Sequence, residues 1–170
     1  WGVEHESDAR KAYTELMTAH HKKLQVRQCG FIVNTSFPEL GASPDGLTVC
    51  GCCGNGCLEI KCPFKYRMDS IKKALHAQDN NFCLESAEKG ICLKKEHPYY
   101  TQVQTQIFVT NSKHCDFIVW TKKDIVVRIF PDADFWKPCL KKAQEFFHKV
   151  CLPEIVGKYF SQCSSVENDP

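Results

Sequence analysis

The stretch from Asp45 to Lys61 most constrains what this chain can fold into. It opens with a Pro-Asp-Gly turn at Asp45, passes a cysteine-rich tip and ends in the segment Leu58–Lys61. In that segment apolar residues alternate with Glu59 and Lys61, as in a β-strand with one apolar and one polar face. Because the turn lets the chain double back, we expect two paired strands that bring Asp45 beside Glu59.

Two carboxylates with a lysine behind them form a hard-oxygen site that suits a divalent cation such as Mg²⁺ or Mn²⁺. An ordinary amphipathic strand, with Glu59 and Lys61 on its solvated face, explains the same pattern without a metal. The choice between these interpretations depends on two helices that carry further polar side chains.

The first of these helices is predicted from Glu4 to about Lys22, where good helix formers run without Gly or Pro. Glu6 lies at the inner edge of its apolar stripe. A carboxylate at that edge is costly unless it is paired or bound to a metal, but a first-turn Glu is also favoured by the helix dipole. Both interpretations of Glu6 stay open. The stripe itself consists of Ala9, Tyr13, Leu16 and Met17.

The second helix is predicted from Pro98 to Val109 and is apolar most of the way round, so we expect it to be largely buried. Gln102 and Gln106 are one helical turn apart and share a face. A buried glutamine needs hydrogen-bond partners, which a site of water, metal and phosphate would supply. Alternatively, the two amides bond each other or the neighbouring backbone.

Other segments have clear secondary-structure patterns. Strands are predicted at residues 24–27, 31–34, 40–42, 47–49, 82–85, 91–94, 114–121 and 124–130. A long helix capped by Asp132 or Asp134 follows, with a packing stripe that includes Phe146, and Pro153 ends it. Residues 1–163 are expected to form one domain, and residues 164–170 a polar, frayed tail.

A basic segment follows Pro63 and is placed to meet phosphate groups. Solvated helix surface is the alternative interpretation for each of its basic side chains. These side chains are Lys65, Arg67, Lys72 and Lys73.

Cysteine is abundant, with 12 residues in the chain. A secreted disulfide scaffold is usually smaller and has less core than this chain, so a reducing, intracellular compartment is expected. The hairpin tip concentrates Cys50, Cys52, Cys53 and Cys57. These thiols predict either a structural Zn²⁺ site or a plain glycine-rich tip, and their spacing matches no common zinc knuckle.

Composition narrows the possible partners. The 170 residues are 43% hydrophobic and carry a net charge of +2, so a polyanion would have to be held by a local patch or by metal. No apolar run is long enough for a membrane span of about 18 residues. The first residues lack a signal-peptide pattern and lead directly into a helix, which suggests an excised domain.

Four motifs occur in one order. They are Gly2-x-x-x-Glu6 with Ala9-Arg10, Ser43-Pro44-Asp45-Gly46-Leu47, Leu58-Glu59-Ile60-Lys61-Cys62-Pro63, and Gln102-Val103-Gln104 before an apolar helical turn. Together they resemble the YqaJ-type viral recombinase nucleases, the group that includes the phage lambda exonuclease, within the PD-(D/E)xK superfamily. The resemblance runs from Trp1 to about Val150 and is far more specific than the acidic triplet alone.

The resemblance implies an α/β (α+β) fold with a central mixed β-sheet flanked by helices. It also implies that Asp45, Glu59 and the Ile60 carbonyl bind Mg²⁺ or Mn²⁺, with Glu6 acting through water or on a second metal. Gln102 would line the site, and Lys61 would contact the attacking water. The activity implied is exonuclease resection of linear duplex DNA from its 5′ end, with some relatives working as ring-shaped trimers beside a single-strand annealing protein.

Other functions remain open at this point. An endonuclease or a single-strand nuclease would use the same core, and a non-catalytic or zinc-stabilised binding module would keep only the fold. Family members usually carry an upstream segment that contributes to the 5′-phosphate pocket, and the chain is expected to lack it. If the source is a eukaryote or its virus, a nuclear location follows.

Overall fold

A computed structural model describes residues 1–77, 79–88, 90–121 and 125–162 of the chain. The predicted tail at 164–170, the hairpin-loop residue Lys89 and the strand start at Asp124 lie outside these residues. The helices are α1 (Gly2–Thr18), α2 (Ile71–His76), α3 (Pro98–Val109), α4 (Ala133–Phe146), α5 (Leu152–Gly157) and α6 (Tyr159–Gln162), with a 3₁₀ turn at Phe64–Tyr66 and a π-helical turn at Phe147–Cys151. None of the described helices is long and apolar enough to cross a membrane.

The strands are β1 (Gln25–Arg27), β2 (Ile32–Asn34), β3 (Phe37–Ala42), β4 (Gly46–Cys50), β5 (Gly54–Lys61), β6 (Leu84–Ala87), β7 (Gly90–Leu93), β8 (Cys115–Val119) and β9 (Ile125–Ile129). Within the described residues, five of them form a sheet in the order β1-β4-β5-β8-β9. The β5–β8 pair is parallel and the other pairs are antiparallel, so the predicted mixed sheet is confirmed. Separate two-stranded sheets join β2 to β3 and β6 to β7.

Helices cover both faces of this sheet around its central strand, β5. Leu58 and Ile60 point towards α1, where they pack with Ala9 and Tyr13. The side chains of β5 that alternate with Leu58 and Ile60 point to the opposite face of the sheet. On that face, α3 and the β6–β7 hairpin contribute to the larger hydrophobic cluster. A central strand with a parallel neighbour is covered on both faces, which explains why β5 is buried from Gly56 to Ile60.

Helix α3 confirms the predicted buried helix from Pro98 to Val109. Pro98 occupies its first turn, and Nδ1 of His97 accepts a hydrogen bond from the Tyr99 amide at 3.2 Å. Gln104, which is fully buried, donates to the Phe130 carbonyl at 3.0 Å and accepts from the Asp132 amide at 2.9 Å. These bonds attach α3 to the connection between β9 and α4.

Two predicted apolar stripes are less buried than expected. Leu16 of α1 is 52% exposed and Phe146 of α4 is 59% exposed. Helix α4 packs instead through Trp136, whose ring stacks on Phe108 with centroids 5.1 Å apart. The prediction is therefore wrong at these two positions, because helical periodicity identifies an apolar stripe without showing how far a neighbouring element covers it.

Candidate active site

The turn before β4 places Asp45 directly beside β5. The Asp45 amide donates to the Leu58 carbonyl at 3.0 Å, and Gly46 pairs with Leu58, so Asp45 continues the antiparallel ladder opposite Glu59. Oδ2 of Asp45 also accepts a hydrogen bond from the Ile60 amide at 2.6 Å. The expected pairing of these strands is confirmed, and it fixes the Asp45 carboxylate against the segment that carries Glu59.

Glu59 lies at the centre of a dense hydrogen-bond network. Its Oε1 atom accepts from Nζ of Lys61 at 2.5 Å and from Nε2 of Gln102 at 2.6 Å. Its Oε2 atom accepts from Nε2 of Gln106 at 2.5 Å. The side chain is only 2% exposed, so the interpretation of a solvated polar face is wrong. Helix α3 covers this face of the strand with two amide donors.

Lys61 is held between the acidic group and an aromatic ring. Its Nζ atom bonds Glu59 and lies 4.4 Å from the centre of the Tyr99 ring, a cation–π distance. The side chain keeps 23% of its surface exposed. The ammonium group can therefore reach the solvent side of the site while its charge stays paired.

Glu6 reaches the same region from α1. It accepts a hydrogen bond from Arg10 Nη2 at 2.6 Å, and Arg10 Nε donates to the Asp45 carbonyl at 3.0 Å. Arg10 thus joins α1 to the turn before β4. The alternative interpretation of Glu6 as only a helix-dipole residue does not account for this contact with the Asp45 segment.

One cavity of about 500 Å³ collects these groups. Its lining includes Glu6, Asp45, Glu59, the Ile60 segment and Lys61. The oxygens of these three carboxylates do not all lie within 4.8 Å of one another. Among the described residues, that spacing is met by a different cluster, at the tip of the β4–β5 hairpin. Asp45 precedes β4 opposite Glu59 of β5, and Glu6 reaches the same cavity from α1.

The electrostatics of this cavity fit a bound divalent cation. Burial, and then the neighbouring Glu59 and Glu6 carboxylates, raise the pKa of Asp45 to about 6 against the opposing effects of the Ile60 amide and Lys61. Among the described residues, no hydrogen-bond donor contacts Oδ1 of Asp45 or Oε2 of Glu6. Carboxylate oxygens with free lone pairs and an excess of negative charge suit Mg²⁺ or Mn²⁺.

The basic segment lies next to the cavity, but only part of it faces inward. Lys65 lines the cavity and pairs with Asp79 at 2.5 Å. Lys73 pairs with Asp69 at 2.6 Å, and the Arg67 guanidinium lies 3.7 Å from the centre of the Phe64 ring. Lys72 is exposed. The two ion pairs reduce the charge that this segment presents, and its contact with DNA stays a prediction.

The cysteine-rich tip does not gather all four predicted thiols. Cys57 is fully buried in the core under α3, and its Sγ atom faces the His114 carbonyl at 3.7 Å. Strand alternation, which places Cys57 on the same face as Glu59, separates it from the tip. Cys50, Cys52 and Cys53 cluster instead with His21, so the prediction that Cys57 completes the set needs correction.

Several contributors were not among the predicted site residues. Gln106 shares a helix face with Gln102, and that spacing was the available signal for its role. Arg10 lies one helical turn after Glu6, and that four-residue spacing is the signal that could have predicted their contact. His21 lies 29 residues before Cys50 in sequence, and nothing local to either residue links the two.

The comparisons with known proteins agree with this geometry. The family model of the YqaJ-like viral recombinase domain matches residues 1–113. An alkaline exonuclease from Laribacter hongkongensis aligns with a TM-score of 0.62 at 25% identity, over 96% of this chain and 72% of its own. The structure of that exonuclease in complex with dAMP gives a TM-score of 0.63 at 24% identity, over 96% and 71%.

No curated protein matches the sequence. The family match covers most of the chain and includes the candidate site residues, which are Glu6, Asp45, Glu59, Lys61, Gln102 and Gln106. The motif order, the mixed sheet and the acidic cavity are thus explained together: this chain belongs to the YqaJ-like viral recombinase domain family.

Proposed function

We propose that this protein is a Mg²⁺- or Mn²⁺-dependent exonuclease that hydrolyses the phosphodiester bonds of linear duplex DNA from the 5′ end. Its family and the likeness to an alkaline exonuclease support a nuclease. The observation that carries the proposal is the convergence of Glu6, Asp45, Glu59 and Lys61, from separate segments, on one cavity.

Each side chain has a distinct role in this proposal. Asp45 and Glu59 hold the cation through their carboxylates, together with the Ile60 carbonyl, and Glu6 orients water in the cation's hydration shell or serves a second ion. When bound, the cation lowers the pKa of its water and neutralises charge on the scissile phosphate. Lys61 orients the attacking water, and Gln102 and Gln106 keep the Glu59 carboxylate in place.

The paired state of Lys61 favours this division of labour. A lysine that bonds Glu59 at 2.5 Å and lies over the Tyr99 ring keeps one position, which a water-orienting group requires. An exposed, mobile lysine would favour simple phosphate binding. The basic side chains in and next to the cavity are proposed to contact the DNA backbone; they are Lys65, Arg67, Lys72 and Lys73.

The deciding experiment follows 5′- and 3′-labelled linear duplex DNA over time with Mg²⁺, Mn²⁺ or EDTA. Release of the 5′ label as mononucleotides, dependent on metal, supports the proposal. Cleavage of closed circular DNA would instead identify an endonuclease, and a preference for single-stranded DNA would identify a single-strand nuclease. Binding without cleavage in any metal would identify a non-catalytic module.

Matched variants connect the activity to this cavity. Asp45→Asn and Glu59→Gln should each lower the cleavage rate by at least about a hundredfold, because loss of a metal ligand exceeds the 10–100-fold cost of losing an outer partner. Glu6→Gln is compared with Glu4→Gln, a change at an exposed neighbour in the first turn of α1. Full activity in Asp45→Asn would refute the assignment.

Assembly is a further part of the proposal. The family resemblance implies a ring-shaped trimer that works beside a single-strand annealing protein, and this arrangement is proposed for this chain. Light scattering at micromolar concentration tests the trimer. A monomer that degrades only short stretches of DNA before dissociating would contradict the ring.

A further inference from the structure

A histidine and three cysteines converge at the tip of the β4–β5 hairpin, at the end opposite Asp45. Nδ1 of His21 lies 3.6 Å from the sulfur of Cys50, 3.2 Å from that of Cys52 and 3.4 Å from that of Cys53. The Cys52 sulfur lies 3.5 Å from the Cys50 sulfur and 3.9 Å from the Cys53 sulfur. All four ligand atoms lie within 4.8 Å of one another.

These five distances match edges of the tetrahedron that three sulfurs and one nitrogen would form around a single zinc ion. Bonds of about 2.3 Å to sulfur and about 2.0 Å to nitrogen, at tetrahedral angles, place two sulfurs about 3.8 Å apart and a nitrogen about 3.5 Å from a sulfur. Two of the sulfur pairs, at 3.5 and 3.9 Å, bracket the first value, and the nitrogen–sulfur distances, from 3.2 to 3.6 Å, bracket the second. So compact a set leaves room for a single ion and not for a multi-iron cluster.

The three thiols are not disulfide-bonded. A disulfide holds its sulfurs about 2.05 Å apart, far closer than any pair in this cluster. Cys50, Cys52 and Cys53 are free thiols in the structure. Three thiolates and one imidazole form a closed ligand set with no position left for water, which is typical of structural rather than catalytic zinc.

The backbone holds these side chains together from two separate segments. The Gly51 amide donates to the Lys22 carbonyl at 2.8 Å, and the His21 amide donates to the Met17 carbonyl at 2.9 Å. The hairpin tip is therefore fastened to the turn that follows α1. Gly54, with a φ of 78°, makes the tight return into β5 that a side chain would strain.

Hydrogen-bond donors already face two of the sulfurs. The Cys53 amide donates to the Cys50 sulfur at 3.1 Å. Nη1 of Arg128 donates to the Cys53 sulfur at 3.2 Å, while the other guanidinium nitrogens bond Asp116 at 2.7 and 2.8 Å. Three thiolates around Zn²⁺ leave one net negative charge, which a guanidinium and amide donors at the sulfurs stabilise.

We propose that His21, Cys50, Cys52 and Cys53 bind one structural Zn²⁺ ion, separate from the catalytic metal. The ion connects the end of α1 to the hairpin tip. Helix α1 carries Glu6, and the hairpin carries Asp45 and Glu59 at its other end. Zinc binding therefore fixes the two elements whose carboxylates must meet in the cavity.

The first test measures metal in the wild-type chain, purified under reducing conditions without added zinc. Mass spectrometry of the metal content should find about one zinc per chain. Replacement by Co²⁺ should give intense visible absorption and a sulfur-to-cobalt charge-transfer band, which report tetrahedral sulfur ligation. Chains that carry no zinc and show neither cobalt signal, or that carry mononuclear iron instead, overturn the proposal.

The second test uses matched variants. His21→Ala should lose zinc or bind it at least tenfold more weakly. His20→Ala, at the exposed neighbouring histidine, should keep the full zinc content. His21→Cys, which restores a fourth ligand, should retain zinc and fold if alanine does not. Cys52→Ser should lose zinc, and Cys92→Ser, in the β6–β7 hairpin, should not. Equal zinc content in His21→Ala and His20→Ala overturns the proposal.

These readouts do not depend on DNA cleavage. A chain that binds zinc but does not cleave DNA would support the zinc proposal and contradict the nuclease proposal. A chain that cleaves DNA but binds no zinc would support the nuclease proposal and contradict the zinc proposal. A disulfide among the three tip cysteines in freshly purified protein, detected by alkylation and mass spectrometry, also overturns the zinc proposal.

Discussion

The Gln106 amide nitrogen lies 2.5 Å from Oε2 of Glu59, although the two residues are 47 positions apart in sequence. Both residues are 2% exposed, so the amide holds the Glu59 carboxylate in place within the protein interior. The carbonyl oxygen of Gln106 is buried with no hydrogen-bond partner among the described residues. A buried polar atom left unbonded is costly, so Gln106 contributes here through its bond to Glu59 and not through its carbonyl oxygen.

Replacing Gln106 by Met should therefore impair activity more than stability. The apolar side chain fills the same space and removes the unpaired carbonyl oxygen, but leaves Glu59 without one donor. Cleavage should fall about 10–100-fold, and the Mg²⁺ concentration for half-maximal rate should rise. Cleavage rates across a Mg²⁺ titration measure both effects.

Gln104→Leu is the control for that variant. Gln104 bonds the backbone of Phe130 and Asp132 and does not contact the cavity. Leaving these part-buried backbone groups unpaired should lower the melting temperature, with cleavage by the folded fraction unchanged. A stable Gln104→Leu chain, or a fully active Gln106→Met chain, would contradict these roles.

Asp45 should make the metal-free protein less stable as the pH rises. Its pKa is raised from 3.8 to about 6 in the folded state, so folding favours the protonated carboxyl. The stabilising contribution is complete below about pH 3.8 and is lost as the pH rises through about 6. Melting curves in EDTA from pH 4 to 8 should show this loss.

Asp45→Asn should lack that dependence, because an amide does not ionise. At pH 7 without metal we expect it to melt about 2–4 °C above wild type, corresponding to about 1 kcal/mol. Mg²⁺ should stabilise the wild-type protein and not the variant. If the melting temperatures of the two proteins changed with pH in the same way, the ionisation of Asp45 would not destabilise the fold and the prediction would be wrong.

Lys61→Met should slow cleavage by about 10²–10⁴-fold while weakening DNA binding only slightly. Its ammonium bonds Glu59 and lies over the Tyr99 ring, so the change removes an oriented donor from the site. Single-turnover rates and binding in Ca²⁺ separate the two effects. Lys65→Met, at an exposed lysine paired with Asp79, should instead weaken binding and leave the single-turnover rate unchanged.

Tyr13→Phe should destabilise the protein through Asp116. The Tyr13 hydroxyl donates to Oδ2 of Asp116 at 2.6 Å, and burial and that carboxylate raise the pKa of Tyr13, so the donor stays protonated. Asp116 is fully buried and would lose one of its partners, at a cost of about 1–3 kcal/mol. Urea unfolding at pH 7 measures this loss, and Tyr159→Phe, at an exposed tyrosine, is the control.

The sequence was most informative where its signals are local. The Pro-Asp-Gly turn and the alternation in Leu58–Lys61 predicted the pairing of β4 with β5, because turn chemistry and a two-residue period depend only on neighbouring residues. The buried helix at Pro98–Val109 was predicted for the same reason. The family resemblance rested on these local motifs and is confirmed.

Local sequence patterns of this kind could not predict the burial of Glu59. Alternation separates two faces of a strand but does not say what covers each one, so the polar face of β5 was also consistent with solvent exposure. Helix α3 covers that face and supplies two amides to the carboxylate. Only the packing of a distant segment turned an ordinary polar residue into a buried acidic group.

The sequence by itself determined the hairpin, the types of side chain available for metal binding and the family. The tertiary structure decided which of them meet: Gln106 joins Glu59, Arg10 ties Glu6 to the Asp45 segment, and His21 replaces Cys57 beside the tip thiols. The physical reason is that ligand sets and buried networks depend on distances in space, and residues 31 positions apart, such as His21 and Cys52, become neighbours only when the chain folds.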